Sequence, residues 1–267
     1  MLGAIYGDIA GSVYEFDIVK TKDFELMGRD CFFTDDTVMT AAVAHALMCV
    51  EDKNDEDAFK NILIGAMHVL GDAYPDAGYG GNFAYWLMTH SQNPYNSFGN
   101  GSAMRVSPVA WFAKSLDEAL RFARLSAEVT HNHPEGIKGA EATAGCIYLA
   151  AHKATKDEIR EFAQKYYSLD FTLDEIRECY EFNETCQESV PQAIEAFLES
   201  DSFEDAIRLT ISIGGDSDTL AAICGGIAEA YYGMSDAEKE AALSFLDEPM
   251  RTITEVFTKR FVDKKNK

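Results

Sequence analysis

Two short acidic motifs contain the residue types that bind divalent cations. In each, two aspartates and a threonine stand at the start of an alanine-rich apolar run. The motifs are FTDDT, with Thr34, Asp35 and Asp36, and GGDSDT, with Asp216, Asp218 and Thr219. Carboxylate and hydroxyl oxygens are hard ligands that suit Mg²⁺ or Mn²⁺ better than zinc.

Acids at a helix start also have a simpler explanation, because they cap the helix and favour its dipole. The two motifs together argue for more. Both begin apolar helices that we expect to pack against each other, which would bring four carboxylates close together. Two divalent cations would balance their four negative charges, and such a pair activates water and holds substrate oxygens.

Two glycine-rich segments are candidates for contacts with an anionic, hydroxyl-bearing ligand. SFGNGSAMRV (97–106) is a Gly/Asn/Ser turn that leads into a helix, an arrangement that presents N–H groups to phosphate. GYGGN (78–82) is a backbone-exposing loop that contains Tyr79. An ordinary capped loop and a plain turn are the competing explanations. Arg105 would add a positive charge or form a structural ion pair.

The histidines give a weaker signal. His131 and His133 are two residues apart, so on a helix they point in different directions and do not share a metal. One polar contact for each is the modest interpretation. His45 falls within an apolar helix and is predicted to be a core histidine.

Composition limits the class of protein. The 267 residues carry 23 basic and 45 acidic side chains, a net charge of −22, which disfavours nucleic-acid and anionic-lipid partners. Asp8 and Glu15 interrupt the N-terminal apolar stretch, which has no basic n-region, and no run is long enough to span a membrane. Six scattered cysteines, three of them in apolar stretches (Cys49, Cys146 and Cys224), indicate a reducing compartment. We therefore expect a cytoplasmic protein without disulfides or a zinc site.

Helix signals dominate, and we predict an all-α fold in one domain. Five capping boxes open helices at Ser115, Thr155, Thr172, Ser202 and Ser235. The alanine- and glycine-rich helices should form the centre. The predicted helices are 3–15, 35–50, 56–70, 80–90, 101–113, 116–127, 136–152, 156–167, 172–180, 188–199, 203–211, 217–232 and 236–261, the last broken near Pro249.

Together these motifs resemble the ADP-ribosylglycohydrolase family, which includes the dinitrogenase reductase-activating glycohydrolase and eukaryotic ADP-ribosylhydrolases. The resemblance covers nearly the whole chain, and the paired TDD and DxDT are its most specific part. It runs through GAIYGDIAGSVYE, FTDDTVMT, GYGGNFAYWL, SFGNGSAMRVSPVAWF, THNHPEGIKGA, ESVPQAIEAFLES and GGDSDTLAAICGGIAEAYYG. It implies one compact domain of orthogonally packed helices over residues 1–267, with a centre of two Mg²⁺ or Mn²⁺ ions.

The resemblance also implies roles for individual residues. The six residues of the two acidic motifs match the family's metal ligands, and Glu15 matches a catalytic glutamate on a mobile segment. His131 matches a histidine near the diphosphate or the distal ribose. The loop that contacts the phosphates corresponds to Gly99, Asn100, Gly101, Ser102, Met104 and Arg105.

The implied reaction is hydrolysis of the N- or O-glycosidic bond at C1″ of ADP-ribose, attached to a protein or small molecule. Glu15 or a metal-bound aspartate, Asp35 or Asp216, would handle the proton. Two alternatives remain: a non-catalytic, crystallin-like binding protein and a metal-dependent phosphoesterase. All six ligand positions are retained here, which favours an enzyme. The linkage to the acceptor (arginine, serine or another group) stays open.

Overall fold

The computed structural model describes residues 1–263, which form fifteen α-helices and a final π-helical turn, Thr258–Val262. These residues contain no β-strand, only an isolated bridge between Gly99 and Thr185, so the prediction of an all-α fold is confirmed. The helices are α1 Leu2–Gly11, α2 Asp35–Cys49, α3 Glu56–Ala73, α4 Gly81–Met88, α5 Gly101–Met104, α6 Ser107–Phe112, α7 Leu116–Glu128, α8 Pro134–Ala151, α9 Lys156–Ala163, α10 Leu173–Ile176, α11 Cys186–Glu199, α12 Phe203–Ile211, α13 Ser217–Tyr232, α14 Asp236–Ser244 and α15 Glu248–Phe257.

The predicted capping residues begin their helices as expected. All five accept a hydrogen bond from the N–H group three residues later. The boxes at Thr155, Thr172 and Ser235 are complete, because the acid also bonds back to the N–H of the cap. In the boxes at Ser115 and Ser202, the acid instead accepts a hydrogen bond from the N–H of the residue that precedes the cap. Local sequence therefore fixes these starts.

Two long helices of the prediction are divided in the structure. Residues 101–113 form α5 and α6 because Pro108 has no N–H to bond to the Met104 carbonyl. Residues 236–261 are interrupted between Ser244 and Glu248, just before Pro249, as expected. The predicted helices 3–15 and 172–180 are shorter, ending at Gly11 and Ile176. The end of the basic C-terminal tail, residues 264–267, lies outside the described residues.

The helices share one hydrophobic core, and its closest contact joins α1 to α13. Gly3, Gly7 and Gly11 recur every four residues on α1 and face α13. A Cβ atom built on Gly7 would lie 1.9 Å from the Ala221 carbonyl oxygen, and one on Gly3 would lie 2.3 Å from that of Gly225. The two backbones therefore touch, which only glycine permits.

The structure corrects two expectations for α2. This helix and α13 do not pack along each other; α1 packs along α13, and α2 meets α13 near their N-terminal ends. His45 is exposed rather than in the core, and Cys49 is exposed beside it, with its Sγ 3.5 Å from His45 Nε2. Because they are four residues apart, both lie on one outward face of a mostly apolar helix. No helix among residues 1–263 is both long and apolar enough to cross a membrane.

We expect Gly7→Ala to destabilise the fold, because the added methyl group collides with the α13 backbone. Overpacking of this kind costs on the order of 1–3 kcal/mol or more. Gly65→Ala is the matched control, since a Cβ at this exposed position of α3 meets nothing within 4 Å. It should stabilise the protein by roughly 1 kcal/mol. Chemical denaturation measures both changes, and equal effects would contradict the close contact.

Candidate metal centre and substrate cleft

A cleft of about 480 Å³ opens where the N-terminal ends of α2 and α13 meet. Its volume is in the range of clefts that hold small molecules and cofactors. Arg105 and His131 are the basic residues in its lining, whereas seven acids face it: Glu15, Asp35, Asp36, Asp76, Glu184, Asp216 and Asp218. A wall of this charge repels an anionic ligand unless cations are bound.

Three helices bring the acids together. Asp8 comes from α1, Asp36 from α2 and Asp218 from α13, and one carboxylate oxygen of each lies within 4.8 Å of the others. Glu15, Asp216 and Asp218 form a second group within the same limit. The two groups share Asp218. Each group could hold a cation, whereas Asp35, which the sequence predicted as a ligand, belongs to neither group.

The threonines of both motifs lie among these acids. Thr219 Oγ1 donates to Asp36 Oδ2 at 3.1 Å, which joins the start of α13 to that of α2. Thr34 caps α2 through a bond from the Asp36 N–H, whereas Asp216 precedes α13 without a capping side-chain bond. Capping therefore does not account for the aspartates, because Thr34 performs it at α2 and Asp216 does not perform it at α13.

The donor set fits a divalent cation. Asp36 Oδ1 is buried without a hydrogen-bond partner, although a carboxylate oxygen normally requires one. The ion pairs found among residues 1–263 involve other acids. Oxygen-only donors at these spacings match the preference of Mg²⁺ and Mn²⁺.

The crowding of buried carboxylates raises their pKa values. Burial is the largest cause for Asp35, Asp36 and Asp216, followed by the negative charge of Asp218. Burial, again followed by Asp218, raises the pKa of Glu15 to about 7. Without cations these groups therefore retain protons that free aspartate and glutamate release in weakly acidic solution.

Glu15 lies on the irregular segment between α1 and α2 and lines the cleft. Lys20, five residues further on, holds this segment against residues that are distant in the sequence. Its Nζ donates to the carbonyl oxygens of Tyr180, at 2.7 Å, and Ile213, at 2.6 Å. The carboxylate of Glu15 therefore lies close to the acids at the start of α13, although Glu15 itself is not in a helix.

The predicted phosphate loop forms one wall of the cleft, and part of it supports the acids. Gly99, Asn100, Gly101 and Met104 line the cleft. Asn100 Nδ2 donates to Asp216 Oδ2 at 2.7 Å, so this side chain holds a candidate metal ligand. The N–H groups of Gly99 and Asn100 are already bonded, to Ser97 Oγ and the Glu184 carbonyl oxygen.

Three predicted substrate residues lie behind this wall or point away from it. Ser102 does not line the cleft, and its hydroxyl donates to the Gly136 carbonyl oxygen at 2.7 Å. Tyr79 does not line it either, and it packs against Phe83. Arg105 contributes to the lining, but it is only 1% exposed, and its Nη2 donates to the Ser126 carbonyl oxygen and to Thr130 Oγ1, each at 2.9 Å.

His131 lines the cleft and is held by its neighbour. Its Nδ1 lies 2.7 Å from Thr130 Oγ1, the same hydroxyl that binds Arg105. Burial, and then the charge of Arg105, lowers the pKa of His131 well below its usual value. The imidazole is therefore neutral at physiological pH, which suits a polar contact rather than a salt bridge to phosphate.

The structure adds site residues that sequence reasoning missed. Asp8 was treated only as an interruption of an apolar stretch, although a charged residue inside a fully buried helix is a recognisable signal. Asp76 and Glu184 join the acidic wall from loops that carry no motif. Exposed phenylalanines also line the cleft, and these are Phe16, Phe32, Phe98 and Phe182.

Comparison with known proteins identifies the family of the chain. The sequence profile of the ADP-ribosylglycohydrolase family matches residues 1–264, so the chain belongs to this family of enzymes, which hydrolyse ADP-ribose linkages. Proteins named ADP-ribosylhydrolase ARH3 from Bos taurus and Homo sapiens are 27% and 26% identical, and each alignment covers 88% of this chain and 84% of the relative.

A bacterial relative and a solved structure extend the comparison. ADP-ribosylarginine hydrolase Tri1 of Pseudomonas putida is 27% identical over 90% of this chain and 71% of its own length. A structure described as an ADP-ribosylglycohydrolase-related protein complex has a TM-score of 0.62 at 22% identity. That match covers 97% of this chain and 96% of the other, and it shows a shared fold.

We expect the stability of the metal-free protein to fall as the pH rises from about 5 to about 8. Over this range the folded carboxylates hold protons that the unfolded chain has lost, so unfolding releases protons and is favoured by higher pH. Added Mg²⁺ should flatten the dependence, because the cations replace those protons. Melting temperatures in chelator and in Mg²⁺ measure the difference.

The matched control for this dependence is Asp36→Asn, which removes one carboxylate whose pKa is raised. Its melting temperature in chelator should fall less steeply with pH than that of the wild type. Because the overall negative charge is nearly the same in both proteins, its contribution to the pH dependence cancels in the comparison. Equal slopes would contradict the assignment of the pH dependence to this cluster.

Proposed function

We propose that this protein hydrolyses the glycosidic bond between C1″ of ADP-ribose and an acceptor, which is a protein side chain or a small molecule, with two Mg²⁺ or Mn²⁺ ions. The observation that carries the proposal is the pair of acidic groups that share Asp218 at the base of a cleft. Bound there, the cations would polarise a water molecule and the ribose hydroxyls. Their ligands would be Thr34, Asp35, Asp36, Asp216, Asp218 and Thr219.

The carboxylates around the scissile bond supply the remaining chemistry. Cleavage at C1″ passes through a state with oxocarbenium character, and nearby negative charge stabilises it. Glu15 takes a proton from the attacking water as the water oxygen bonds to C1″ and the bond from C1″ to the acceptor breaks. The same proton then passes from Glu15 to the departing acceptor, so that ADP-ribose and the free acceptor are the products. Burial, followed by the charge of Asp218, raises the pKa of Glu15 to about 7 in the absence of cations, and a value in this range supports a role in acid/base work.

The cleft wall would orient the substrate. Gly99, Gly101, Met104 and His131 face it and would contact the diphosphate and its riboses, while Asn100 holds Asp216. Ser102, Arg105 and Tyr79 would act behind this surface, because their polar groups are bonded to the protein or buried. Since the wall is acidic, bound cations would also be needed to offset repulsion of the diphosphate.

Asp216→Ala should abolish release of ADP-ribose from modified protein, because it removes a cation ligand and the partner of Asn100. Excess chelator should do the same to the wild type, and added Mg²⁺ or Mn²⁺ should restore it. Full activity under either condition would contradict the proposal. Chromatography of the products separates the alternatives: intact ADP-ribose indicates glycosidic cleavage, whereas AMP with ribose phosphate indicates a phosphoesterase.

Binding without turnover would instead indicate a non-catalytic protein. A panel of arginine-, serine- and nucleotide-linked ADP-ribose, each assayed with and without Mg²⁺, identifies the acceptor. In this panel, tight binding of ADP-ribose together with an absence of hydrolysis for every linkage would contradict the enzymatic proposal.

Glu15→Gln should lower kcat by roughly 10²–10⁴-fold, because the amide cannot accept the proton. Glu15 lies on a loop at the edge of the acidic groups, so the folded structure and the Asp36 group should be retained. Single-turnover kinetics would isolate the chemical step, and Mn²⁺ titration would verify that cations still bind. A kcat close to that of the wild type would remove Glu15 from the mechanism.

A further inference from the structure

We propose that Asp8 is a positioning residue that orients the start of α2 toward the cations without binding them. The inference rests on the proposed function, because it assigns a role around the proposed cation ligands. Asp8 is fully buried on α1, beside Gly7 and Gly11, which bring α1 against α13. Its place is therefore fixed by the closest backbone contact in the fold.

The carboxylate of Asp8 accepts hydrogen bonds from N–H and hydroxyl groups at the start of α2. Thr34 Oγ1 donates to Oδ1 at 2.7 Å, and the Thr34 N–H donates to Oδ2 at 3.0 Å. The N–H of Thr37 donates to Oδ2 at 3.1 Å, and the Thr37 hydroxyl donates to the same oxygen. An acid from one helix thus caps the N-terminal end of another, where free N–H groups and the helix dipole favour negative charge.

These bonds distinguish Asp8 from the acids around it. Asp8 lies within 4.8 Å of Asp36 and Asp218 and by spacing alone would be a third ligand. Both of its oxygens, however, already accept N–H and O–H donors, whereas Asp36 Oδ1 has no partner. A cation at Asp8 would displace these donors, so the geometry assigns ligation to Asp36 and support to Asp8.

The support acts through the hydroxyl of Thr34. A threonine hydroxyl has one proton and two lone pairs. The Thr34 oxygen lies 2.7 Å from Asp8 Oδ1 and 3.5 Å from Asp36 Oδ2, so the shorter contact assigns this proton to Asp8. The Thr34 oxygen is then left to accept the Asp36 N–H, at 3.3 Å, and to offer its remaining lone pair toward the cleft, which Thr34 lines. A carboxylate behind a ligand fixes its orientation and increases its basicity, as such partners do in many metal sites.

The test is Mn²⁺ binding to the full chain, followed by electron paramagnetic resonance of the free ion, which needs no substrate. Asp8→Asn keeps the shape of the side chain but sets an NH₂ group against the donors of α2. We expect the Kd for Mn²⁺ to rise about 10–100-fold, the usual effect of removing such a partner, with the number of bound ions unchanged. An unchanged Kd would overturn the proposal.

Two further variants separate positioning from other effects of Asp8. Asp17→Asn is the matched control, because it removes one negative charge from an exposed side chain that does not line the cleft and should leave the Kd close to the wild-type value. Thr34→Val combined with Asp8→Asn should weaken binding little more than Thr34→Val alone, since Asp8 acts through that hydroxyl. Additive losses, with one fewer ion bound at saturation, would make Asp8 a ligand and overturn the proposal.

Thr37→Val decides the question if Asp8→Asn does not fold. The Thr37 hydroxyl donates to Asp8 alone among the described residues, so its removal loosens Asp8 and leaves the proposed ligands intact. A several-fold higher Kd supports the proposal, and a wild-type Kd contradicts it. Cation binding that depends on Asp8 in a protein without hydrolytic activity would contradict the proposed function alone, whereas wild-type Mn²⁺ binding by Asp8→Asn would contradict this inference alone.

Discussion

Repulsion among buried carboxylates is the constraint around which this molecule is arranged. The carboxylates of Asp36, Asp216 and Asp218 lie close to other buried acids, and each negative charge makes ionisation of the next less favourable. No basic side chain of the described residues forms an ion pair with them. Such a cluster is costly unless cations or protons neutralise it. The packing of the surrounding helices must therefore hold the acids together against their own charge.

The glycines of α1 and the threonines of α2 and α13 provide that resistance. Direct backbone contact between α1 and α13 fixes the positions of Asp8 and Asp218 relative to each other. Thr219 then joins α13 to α2 through Asp36. Rigid mounting of this kind suits a site whose ligands must be in place before the cation arrives, since little ordering remains to be done on binding.

The sequence pointed to candidate ligands but not to the residues that support them. Thr34, Asp36, Asp218 and Thr219 could be proposed because two similar motifs begin two apolar helices. Asp8 and Asn100 were missed in their supporting roles, because hydrogen bonds to Thr34 and Asp216 depend on which helices become neighbours. Arg105 shows the same limit, since a motif does not reveal that its charge is directed inward to Thr130.

The fold shows a similar division between local and distant information. Helix starts at residues such as Thr155 were predictable, because a cap and its acid lie three residues apart, and Pro249 marked a real interruption. The pairing of α1 with α13 could not be predicted, although Gly3, Gly7 and Gly11 form a visible pattern. Small residues at helical spacing show that something packs closely but do not show which helix it is.

The pairing of α1 with α13 also determines when the centre can form. Asp8 and Asp218 are 210 positions apart in the sequence, so the acidic cluster depends on one of the most distant contacts in the chain. During synthesis on a ribosome, α1 emerges before α13, so its glycine face stays uncovered by α13 until that helix is made. Contacts between residues so far apart in the sequence slow folding, because a long loop must close before they form. Cation binding would thus report that the chain is folded from its first helix to its thirteenth.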